Sequence, residues 1–587
     1  MQQNVLAYFA NNKNQKEETK LRLVKGLGLD DFESKKVHKP KNFVYDTKYF
    51  KKRYSQMDAI FNNIKPDLME LSEFFAPRMS RFLVTDTNKP SKKPKKIRDS
   101  ITIKAVNDFA AGMQSGATSA ATRWFKNQMK DKELSSLHEV KAWCSDLEEL
   151  MRRILGCSNF YQNMLGAYKQ LASYGFAVMQ MEPDFETVVN YKLLPIGSYR
   201  YSKDHRGVIN TLAKHFTENA QNLVEKYGYE NCSDQVQNAY NDNQDKSFEL
   251  IYFVEPNKEY NANSPLAKHK KYIAATFELG SEKFLKLSGF DKFPFAVFES
   301  EVTGEDVYPT NCPGMEALPD ARQLMDQVKD YSKALKKIVS PTYRGPASLA
   351  KQKGLTDAPG AFIQDDENGR GLAPIYEVNP QVLQIKQHND ELKETIKTHF
   401  YNDLFAVILS TAERGRTATE VNEIKEEKMV LLSPLLDQVH LALRMILEWL
   451  FYECNRTGIM PEPPEIIENQ EMEIEFISQL ALAQKVKGIS SIERCTTFVV
   501  NLAQTVDPTI VYKLNADKIV DDYAEIANVN PEHIISTDDV NKKREEIAQQ
   551  QAMQQQIQAL QQGSEIVKNI GGIDSIGGDL ATRVGVG

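Results

Sequence analysis

The chain has 587 residues, of which 41% are hydrophobic and 26% are charged. These proportions are typical of a folded globular protein and exclude wholesale disorder. The 73 Lys and Arg residues and the 80 Asp and Glu residues give a net charge of −7, which excludes a protein that coats nucleic acid generally, because such proteins neutralise phosphates with a basic surface.

The sequence has no segment typical of a membrane span, a secretory signal or a disulfide framework. The most apolar segment, Met429–Tyr452, contains Pro434 and three charged residues, whereas a span needs about 20 mostly apolar residues. The N-terminus lacks a basic region followed by an apolar one. The six cysteines are scattered and form no CxxC motif, which favours folding in a reducing compartment without a zinc site.

The first half of the chain is predicted to be helical and then mixed. Residues 1–44 are polar and lysine-rich and are expected to form a mobile arm. Helical periodicity runs from Tyr49 to Phe82. The lysine- and proline-rich segment 88–100 is either a loop that touches phosphate or a solvated loop, and composition favours the solvated loop. Further helices are predicted in 101–182, and short strands of an α+β domain between 176 and 298.

The second half alternates helices with Gly- and Pro-rich segments. A helix is predicted from Met315 to Val339, and residues 340–380 are expected to form loops and short strands. Helical periodicity then covers Gln381 to about Ala412. The longest helix is predicted from Ala418 to about Asn455, with a kink or interruption at Pro434.

The C-terminal half of that longest helix is apolar almost all round. Such a helix should be buried on all sides. We expect more apolar surface there than one chain can bury, and therefore contacts between subunits, at Leu441, Leu443, Met445, Ile446, Leu447, Trp449, Leu450 and Phe451. His440 in the same region is expected to be a core histidine and not a metal ligand.

The remaining C-terminal elements are less regular. A Pro-rich turn after Gly458 leads to a predicted strand at Met472, and mixed helices are predicted to about Glu546. The Gln-rich segment 549–562 could be a helix or a disordered tract, and residues 571–587 are expected to be unstructured.

No enzyme is recognisable in the sequence. The motifs GxxxxGK[ST], HExxH, GxSxG and GxGxxG before a helix are all absent. The nine histidines are dispersed, and the acidic run 365–367 is better explained by a solvated turn than by a cation site. We therefore predict no catalytic residue, no metal site and no cofactor.

A short turn between two predicted helices is the most distinctive local feature. It runs from Glu413 to Thr417 in the sequence Glu-Arg-Gly-Arg-Thr. Gly415 permits a tight reversal of the backbone. Thr417 fits the N-cap position of the next helix, with Glu420 as its capping-box partner.

This turn directs Arg414 and Arg416 outward, and two functions are possible for them. They could form a mobile cationic loop that presents guanidinium groups to phosphate. Alternatively, they belong to an ordinary helix-helix turn and pair with Glu413 or Glu423. The local signal alone favours the ordinary turn.

The segment Thr417-Ala-Thr-Glu-Val421, with the long helix and the Gly458-IMPEPP turn that follow it, resembles the head-to-tail connector (portal) proteins of short-tailed, podovirus-like bacteriophages. The resemblance covers about residues 45–560. It departs from the family pattern at Tyr308-Pro309, where the family usually has Tyr-Gly. Further similar motifs follow in the family's order: Arg123-Trp-Phe125, Ser158-Asn-Phe160 before Leu171-ASY-Gly175, Pro195–Gly207, Pro313–Met325 and Ser478–Lys485.

The resemblance implies an α+β, mainly helical portal fold that assembles as a ring, a dodecamer in this family, at one capsid vertex. It implies the following regions: an N-terminal arm (1–44), a wing (45–312), a first stem helix (313–339), a clip (340–380), a second stem helix (381–403), a tunnel loop (404–417), a long helix at the base of wing and crown (418–456), a C-terminal wing and crown region (457–548) and a Gln- and Gly-rich tail (549–587).

The resemblance also implies partners. They are double-stranded DNA in transit, a separate terminase motor, a tail adaptor, and the major capsid and scaffolding proteins, in a virion assembled from protein made in the host cytoplasm. Residues Glu413 to Thr417 (Glu413, Arg414, Gly415, Arg416, Thr417) would line the channel, and Lys336 and Lys337 are secondary candidates. Helix-dipole complementarity is the simpler explanation of those two lysines.

Two rival classes remain open at this point. One is another structural virion protein, such as a tail tube or an internal ejection protein, which would lack this order of stem, clip, stem, turn and long helix. The other, weaker rival is a nucleic-acid enzyme such as a nuclease, which would need a carboxylate or histidine constellation.

Overall fold

The structure is a computed structural model that describes residues 44–77, 79–82, 96–339, 343–344, 373–374, 382–409, 418–467, 470–478, 480, 494–504, 508–526 and 540–554. The chain divides into two compact units, Met1–Gln484 and Lys485–Gly587. The first unit contains both helices and sheets, as predicted for an α+β fold.

The α-helices described in the first unit are α1 (Thr47–Phe74), α2 (Ile101–Ala117), α3 (Lys132–Ser136), α4 (His138–Cys157), α5 (Phe160–Tyr174), α6 (Ala220–Tyr227), α7 (Asp234–Asp242), α8 (Pro313–Val339), α9 (Val382–His399), α10 (Asn402–Leu409) and α11 (Ala418–Thr457). Short 3-10 turns occur at Tyr229–Asn231, Ala267–His269 and Glu465–Ile467.

The strands are β1 (Phe125–Met129), β2 (Phe176–Asp184), β3 (Val188–Leu193), β4 (Tyr199–Lys203), β5 (Ile209–Asn219), β6 (Ser247–Pro256), β7 (Tyr272–Glu278), β8 (Phe284–Phe290), β9 (Phe295–Glu299), β10 (Tyr343–Arg344), β11 (Ala373–Pro374) and β12 (Met472–Phe476). The short strands predicted between 176 and 298 and the strand predicted at Met472 are present.

All the described strand pairs are antiparallel. The larger sheet has the order β4-β5-β6-β7-β8, and a smaller sheet has the order β3-β2-β9. β12 returns from the C-terminal part of the unit to pair with β1, placing Phe476 opposite Phe125. The segment 340–380 contributes one short pair, with Tyr343 opposite Pro374.

Helix α1 is shorter than its periodicity predicts. It begins after Asp46, whose side chain accepts a hydrogen bond from the backbone N–H of Tyr49, and it ends at Phe74, not at Phe82. Pro77 explains the early end, because a proline disfavours helical backbone at the residue before it. The prediction of one helix to Phe82 is therefore wrong at its C-terminal end.

Three hydrophobic cores hold the first unit together. The main core joins the helices α2, α4, α5 and α11 with the smaller sheet. A second core seats Phe50 and Met57 of α1 against the larger sheet at Phe253 and Phe277. The third lies between α6, α7 and one end of that sheet. The first residues of α8, the first stem candidate, enter the main core, which fixes the position of this helix and of α9 beside it.

The long helix α11 is not interrupted at Pro434. Leu432 and Leu436, on either side of the proline, are completely buried, so packing holds both halves in one helix although Pro434 removes a backbone donor. Of the two predicted alternatives, the interruption is therefore wrong and the kink stays a prediction. The helix ends at Thr457, and Gly458 follows with a positive φ of 70°, as the turn predicted there requires.

The apolar half of α11 is buried by its own chain and not by another subunit. Six of the eight apolar residues named above are buried here, because α10 and the strands of the smaller sheet pack around them. Leu441 is 53% exposed, and Met445 is partly buried against the main core. The expectation that this surface needs neighbouring subunits is therefore wrong. His440 lies flat on the ring of Phe476, with centroids 4.3 Å apart.

The second unit is helical where it is described. Helical segments cover 494–504 and 540–554, and α12 spans Ala516–Ile526 after a 3-10 turn at Pro508–Lys513. Arg544 makes a bidentate contact with Asp517, with N–O distances of 2.6 and 2.7 Å. Within the Gln-rich segment, the residues up to 554 are helical.

Candidate functional site

The primary site candidates, Glu413, Arg414, Gly415, Arg416 and Thr417, lie outside the described residues. Their flanking elements are described: α10 ends at Leu409 and α11 begins at Ala418. The geometry available for the site is therefore that of the helix pair α8 and α9 and of the junction between α9 and α10.

Helices α8 and α9 form an antiparallel pair. His399 at the end of α9 contacts two carboxylates at the start of α8, with distances of 3.2 Å to Asp320 and 3.6 Å to Glu316. Farther along α8, the side-chain amide of Gln323 lies 3.2 Å from the ring of His388. The start of α8 thus lies beside the end of α9, and the segment 340–381 connects the other ends.

The base of α8 approaches α5 too closely for a side chain at Gly314. A Cβ atom at that position would lie 2.6 Å from the carbonyl oxygen of Ser173. One and two turns farther on, Ala317 and Ala321 are completely buried. Small residues therefore let the base of α8 enter the main core, and this contact fixes where the helix pair begins.

Two ion pairs attach the helix pair to the rest of the unit. Arg322 of α8 makes a bidentate contact with Glu70 of α1, with N–O distances of 2.8 and 2.5 Å. This hydrogen bonding lowers the pKa of Glu70 and raises the pKa of Arg322. Lys393 of α9 lies 3.0 Å from Asp99, and the hydrogen bond raises the pKa of Lys393.

Neither attachment was predicted from the sequence. Arg322 and Glu70 are 252 residues apart, so no local pattern brings them together. One indication of the ion pair was present in the sequence: Arg322 lies on a helix beside the apolar residues Ala321 and Leu324. A charged residue beside a buried helix face favours an ion pair at the edge of that face.

The far end of the helix pair, away from Pro313 and His399, is exposed. It carries both secondary site candidates, Lys336 and Lys337, in the last turn of α8. From Asp326 to Val339 the helix has four lysines and two aspartates, so this half carries more positive than negative charge. Exposed apolar side chains accompany them at Leu335, Ile338, Val339 and Ile385.

The predicted helix from Gln381 to Ala412 is two helices. α9 ends at His399 and α10 begins at Asn402. Between them, Tyr401 has a φ of +54°, a left-handed conformation that non-glycine residues rarely adopt. Phe400 is completely buried, with its ring 5.4 Å from that of Phe75. Packing of Phe400 therefore turns the chain, and residues 402–409 within the predicted second stem helix and tunnel loop are a separate helix.

Two further findings concern chemistry. Among the residues that the structure describes, no group of three or more His, Cys, Asp or Glu side chains could hold a metal ion. No described helix has the length and apolar character that a bilayer crossing needs. The features of this region are thus an exposed, lysine-bearing helix end and a sharply turned junction.

Comparison with protein families gives one match over most of the chain. The model of the family described as "Bacteriophage head to tail connecting protein" matches residues 47–535. The chain is also 31% identical over 504 residues to the "Portal protein" of Salmonella phage epsilon15, covering 85% of this chain and 90% of that protein. It is 31% identical over 515 residues to the "Probable portal protein" of Bordetella phage BPP-1, covering 86% and 92%.

Similar solved structures come from gene transfer agent particles. A chain of the "Virion of native gene transfer agent (GTA) particle" is 10% identical and matches with a TM-score of 0.36 over 74% of this chain and 89% of that one. A chain of the neck of the empty particle is 12% identical, with a TM-score of 0.34 over 67% and 85%.

Proposed function

The chain belongs to the family of bacteriophage head-to-tail connecting proteins and has the function of a phage portal protein, and we propose that its copies close into a dodecameric ring around a DNA channel. One observation carries this proposal: the match to portal proteins extends over about nine tenths of their length. The role is structural. A separate terminase motor supplies the work of packaging, and DNA leaves through the same channel at infection.

We assign the stem to the helix pair. α8 and α9 are antiparallel, their bases enter the main core, and their far ends are exposed. This geometry suits two helices that extend from the body of a subunit. The segment between them would be the clip, and the pairing of β10 with β11 supports a folded connection there. The wing would comprise residues 45–312, and the crown would lie in the C-terminal region with the unit Lys485–Gly587.

The charge of the chain suits a channel that DNA must traverse. Copies with a net charge of −7 form a strongly acidic ring, and each phosphate that a protein neutralises adds to the affinity that would hold DNA in place. Sparse basic positions would then give weak, non-specific contact. We propose Arg414 and Arg416 as the main basic ring and Lys336 and Lys337 as a second one near the clip.

The proposed partners follow from this arrangement. The clip would face the terminase motor during packaging and the tail adaptor afterwards, and the wing and crown would contact the major capsid and scaffolding proteins. The protein would be made in the host cytoplasm and would occupy the portal vertex of the virion.

The first experiment is to purify the full chain, to measure its mass by mass photometry at micromolar concentration, and to image it by negative stain. We expect closed rings with an axial hole. Only monomers, or tubes without a stalk, would contradict the ring and would favour another structural virion protein such as a tail tube or an internal ejection protein.

The second experiment tests the channel residues. In the variant that combines Arg414→Glu with Arg416→Glu, rings should still assemble while the yield of DNA-filled heads falls, because phosphate would meet a repulsive ring. Lys336→Glu with Lys337→Glu should have the same direction and a smaller effect. Normal numbers of filled heads in the arginine variant would remove the assigned role of the turn.

A further inference from the structure

Two glycines one turn apart on α2 each receive a side chain from a distant part of the chain. A Cβ atom at Gly112 would lie 2.3 Å from Cγ of Phe405 on α10, and one at Gly116 would lie 2.8 Å from Cγ of Leu480. Carbon atoms that touch ordinarily lie about 3.5–4.0 Å apart. At each glycine, the neighbouring side chain therefore occupies the space that a Cβ methyl group would need.

The contact between Gly112 and Phe405 packs α10 closely against α2. The ring of Phe405 is 3% exposed and packs edge-to-face on Phe109 of the same helix, with centroids 5.7 Å apart. The adjacent Leu404 is also buried. α10 is only one short helix, and it begins at the left-handed turn of Tyr401, so its direction depends on these side chains and not on a continuous helix from α9.

We propose that Gly112 and Phe405 are positioning residues for DNA passage: their contact fixes the direction of α10, the helix that follows the assigned stem helix α9. The proposal rests on the proposed portal function, because α10 lies between the assigned stem and the long helix. Neither residue needs to touch DNA. Their role is to fix the direction of α10, the last described element before the proposed channel residues 413–417.

Because of this contact, we expect a glycine-to-alanine substitution inside α2 to be harmful. Alanine has a higher helix propensity than glycine, so Gly112→Ala would strengthen α2 if nothing faced it. With Phe405 in place, the added methyl group must push the ring, and α10 with it, away by about 1 Å or more. We expect rings of this variant to assemble, amides of residues 402–409 to exchange hydrogen faster, and DNA-filled heads to be lost.

Two glycine variants serve as matched controls. Gly116→Ala makes the same change on the same helix but displaces Leu480 instead of Phe405, so exchange in 402–409 should be unchanged. Gly156→Ala adds a methyl group with no heavy atom within 4 Å and should behave as wild type. Gly112→Ala combined with Phe405→Leu, which has a smaller side chain, should recover part of the lost heads.

The experiment combines negative-stain imaging, hydrogen exchange by mass spectrometry and counts of DNA-filled heads after complemented infection. Phe405→Leu alone covers the case in which Gly112→Ala does not fold; it should loosen α10 and reduce filled heads while rings persist. Normal exchange and normal heads in either foldable variant would overturn the proposal. Absence of rings from the wild-type protein would instead overturn the proposed function, so the two failures are distinguishable.

Discussion

Arg200 offers the sharpest test of how the first unit is held together. It lies on β4 with only 5% of its surface exposed. Its guanidinium contacts Asp58 of α1 at 2.8 Å and donates to the carbonyl oxygens of Gly197 and Tyr199 at 2.9 and 2.7 Å. The same group lies 3.6 Å from the centroid of the Phe61 ring. One side chain thus connects α1 to the larger sheet.

The substitution Arg200→Met keeps an unbranched apolar side chain over Phe61 and removes the charge. Hydrogen bonds of charged groups contribute about 1.5–3 kcal/mol each, and breaking a buried ion pair costs about 3–5 kcal/mol. Asp58 keeps 33% of its side-chain surface exposed, so water partly replaces the hydrogen bond that Asp58 loses when Arg200 is substituted. We therefore expect the free energy of unfolding to fall by about 3 kcal/mol, toward the low end of that range.

Urea unfolding followed by tryptophan fluorescence measures this loss, since the three tryptophans, Trp124, Trp143 and Trp449, all lie in the first unit. The matched control is Arg153→Met. Arg153 pairs with Glu149 at 3.1 Å, but both side chains are at least half exposed, so its loss should be no more than about 0.5 kcal/mol. Equal losses in the two variants would refute the reasoning from burial.

Two further substitutions test the base of the helix pair. Glu70→Gln should lower the free energy of unfolding by about 0.5–1 kcal/mol at pH 7 and have little effect at pH 3. Arg322 lowers the pKa of Glu70, so the stability that this ion pair contributes is present above the ordinary carboxyl pKa and is lost as the pH falls through the folded-state pKa. Equal losses in urea titrations at the two pH values would contradict this. Gly314→Ala should destabilise by about 1–3 kcal/mol, because its Cβ would meet the backbone oxygen of Ser173, whereas Gly304→Ala, with open space around it, should be neutral in the same assay.

The elements that local patterns specify were predictable. α8 was predicted from Met315 to Val339 and is observed at Pro313–Val339, because an amphipathic repeat fills it and Pro341 follows it closely. β12 was predicted at Met472 and pairs with β1 as a strand of alternating burial. In these segments the local preference and the tertiary structure agree.

The break between α9 and α10 was not predictable from the sequence. No glycine or proline occurs between Gln381 and Ala412, so the helical pattern continues through residues 400 and 401. The structure turns there because Phe400 packs against Phe75 of a segment more than three hundred residues earlier. A contact of that kind leaves no trace in the local pattern.

The error about α11 has a related cause. An apolar surface all round a helix indicates burial on every side, and that part of the prediction is confirmed at Leu443, Ile446 and Leu450. The sequence does not indicate which elements cover the helix. Neighbouring subunits were inferred, whereas strands of the same chain, β2, β3 and β9, provide the cover. Burial is a local prediction, but the identity of the partner is not.

Several of the further motifs that carried the resemblance lie at packing junctions of the first unit. Trp124 is completely buried and stacks between Phe160 and Phe476, which joins three parts of the unit. Asn159 contacts the backbone of Tyr191 in both directions, accepting from its N–H and donating to its carbonyl oxygen, and so covers the free edge of β3.

The glycines of these motifs have the same character. Gly175 ends α5 with a φ of +83°, and a Cβ at Gly197, where φ is +93°, would lie 2.7 Å from the backbone oxygen of Arg81. Such positions restrict the residue type by geometry. A weakly binding basic ring needs only positive charge near phosphate, which lysine or arginine can supply at several positions. Packing motifs thus identify the fold, whereas the proposed channel roles of Arg414 and Arg416 are tested by the charge-reversal variants of the assembled ring.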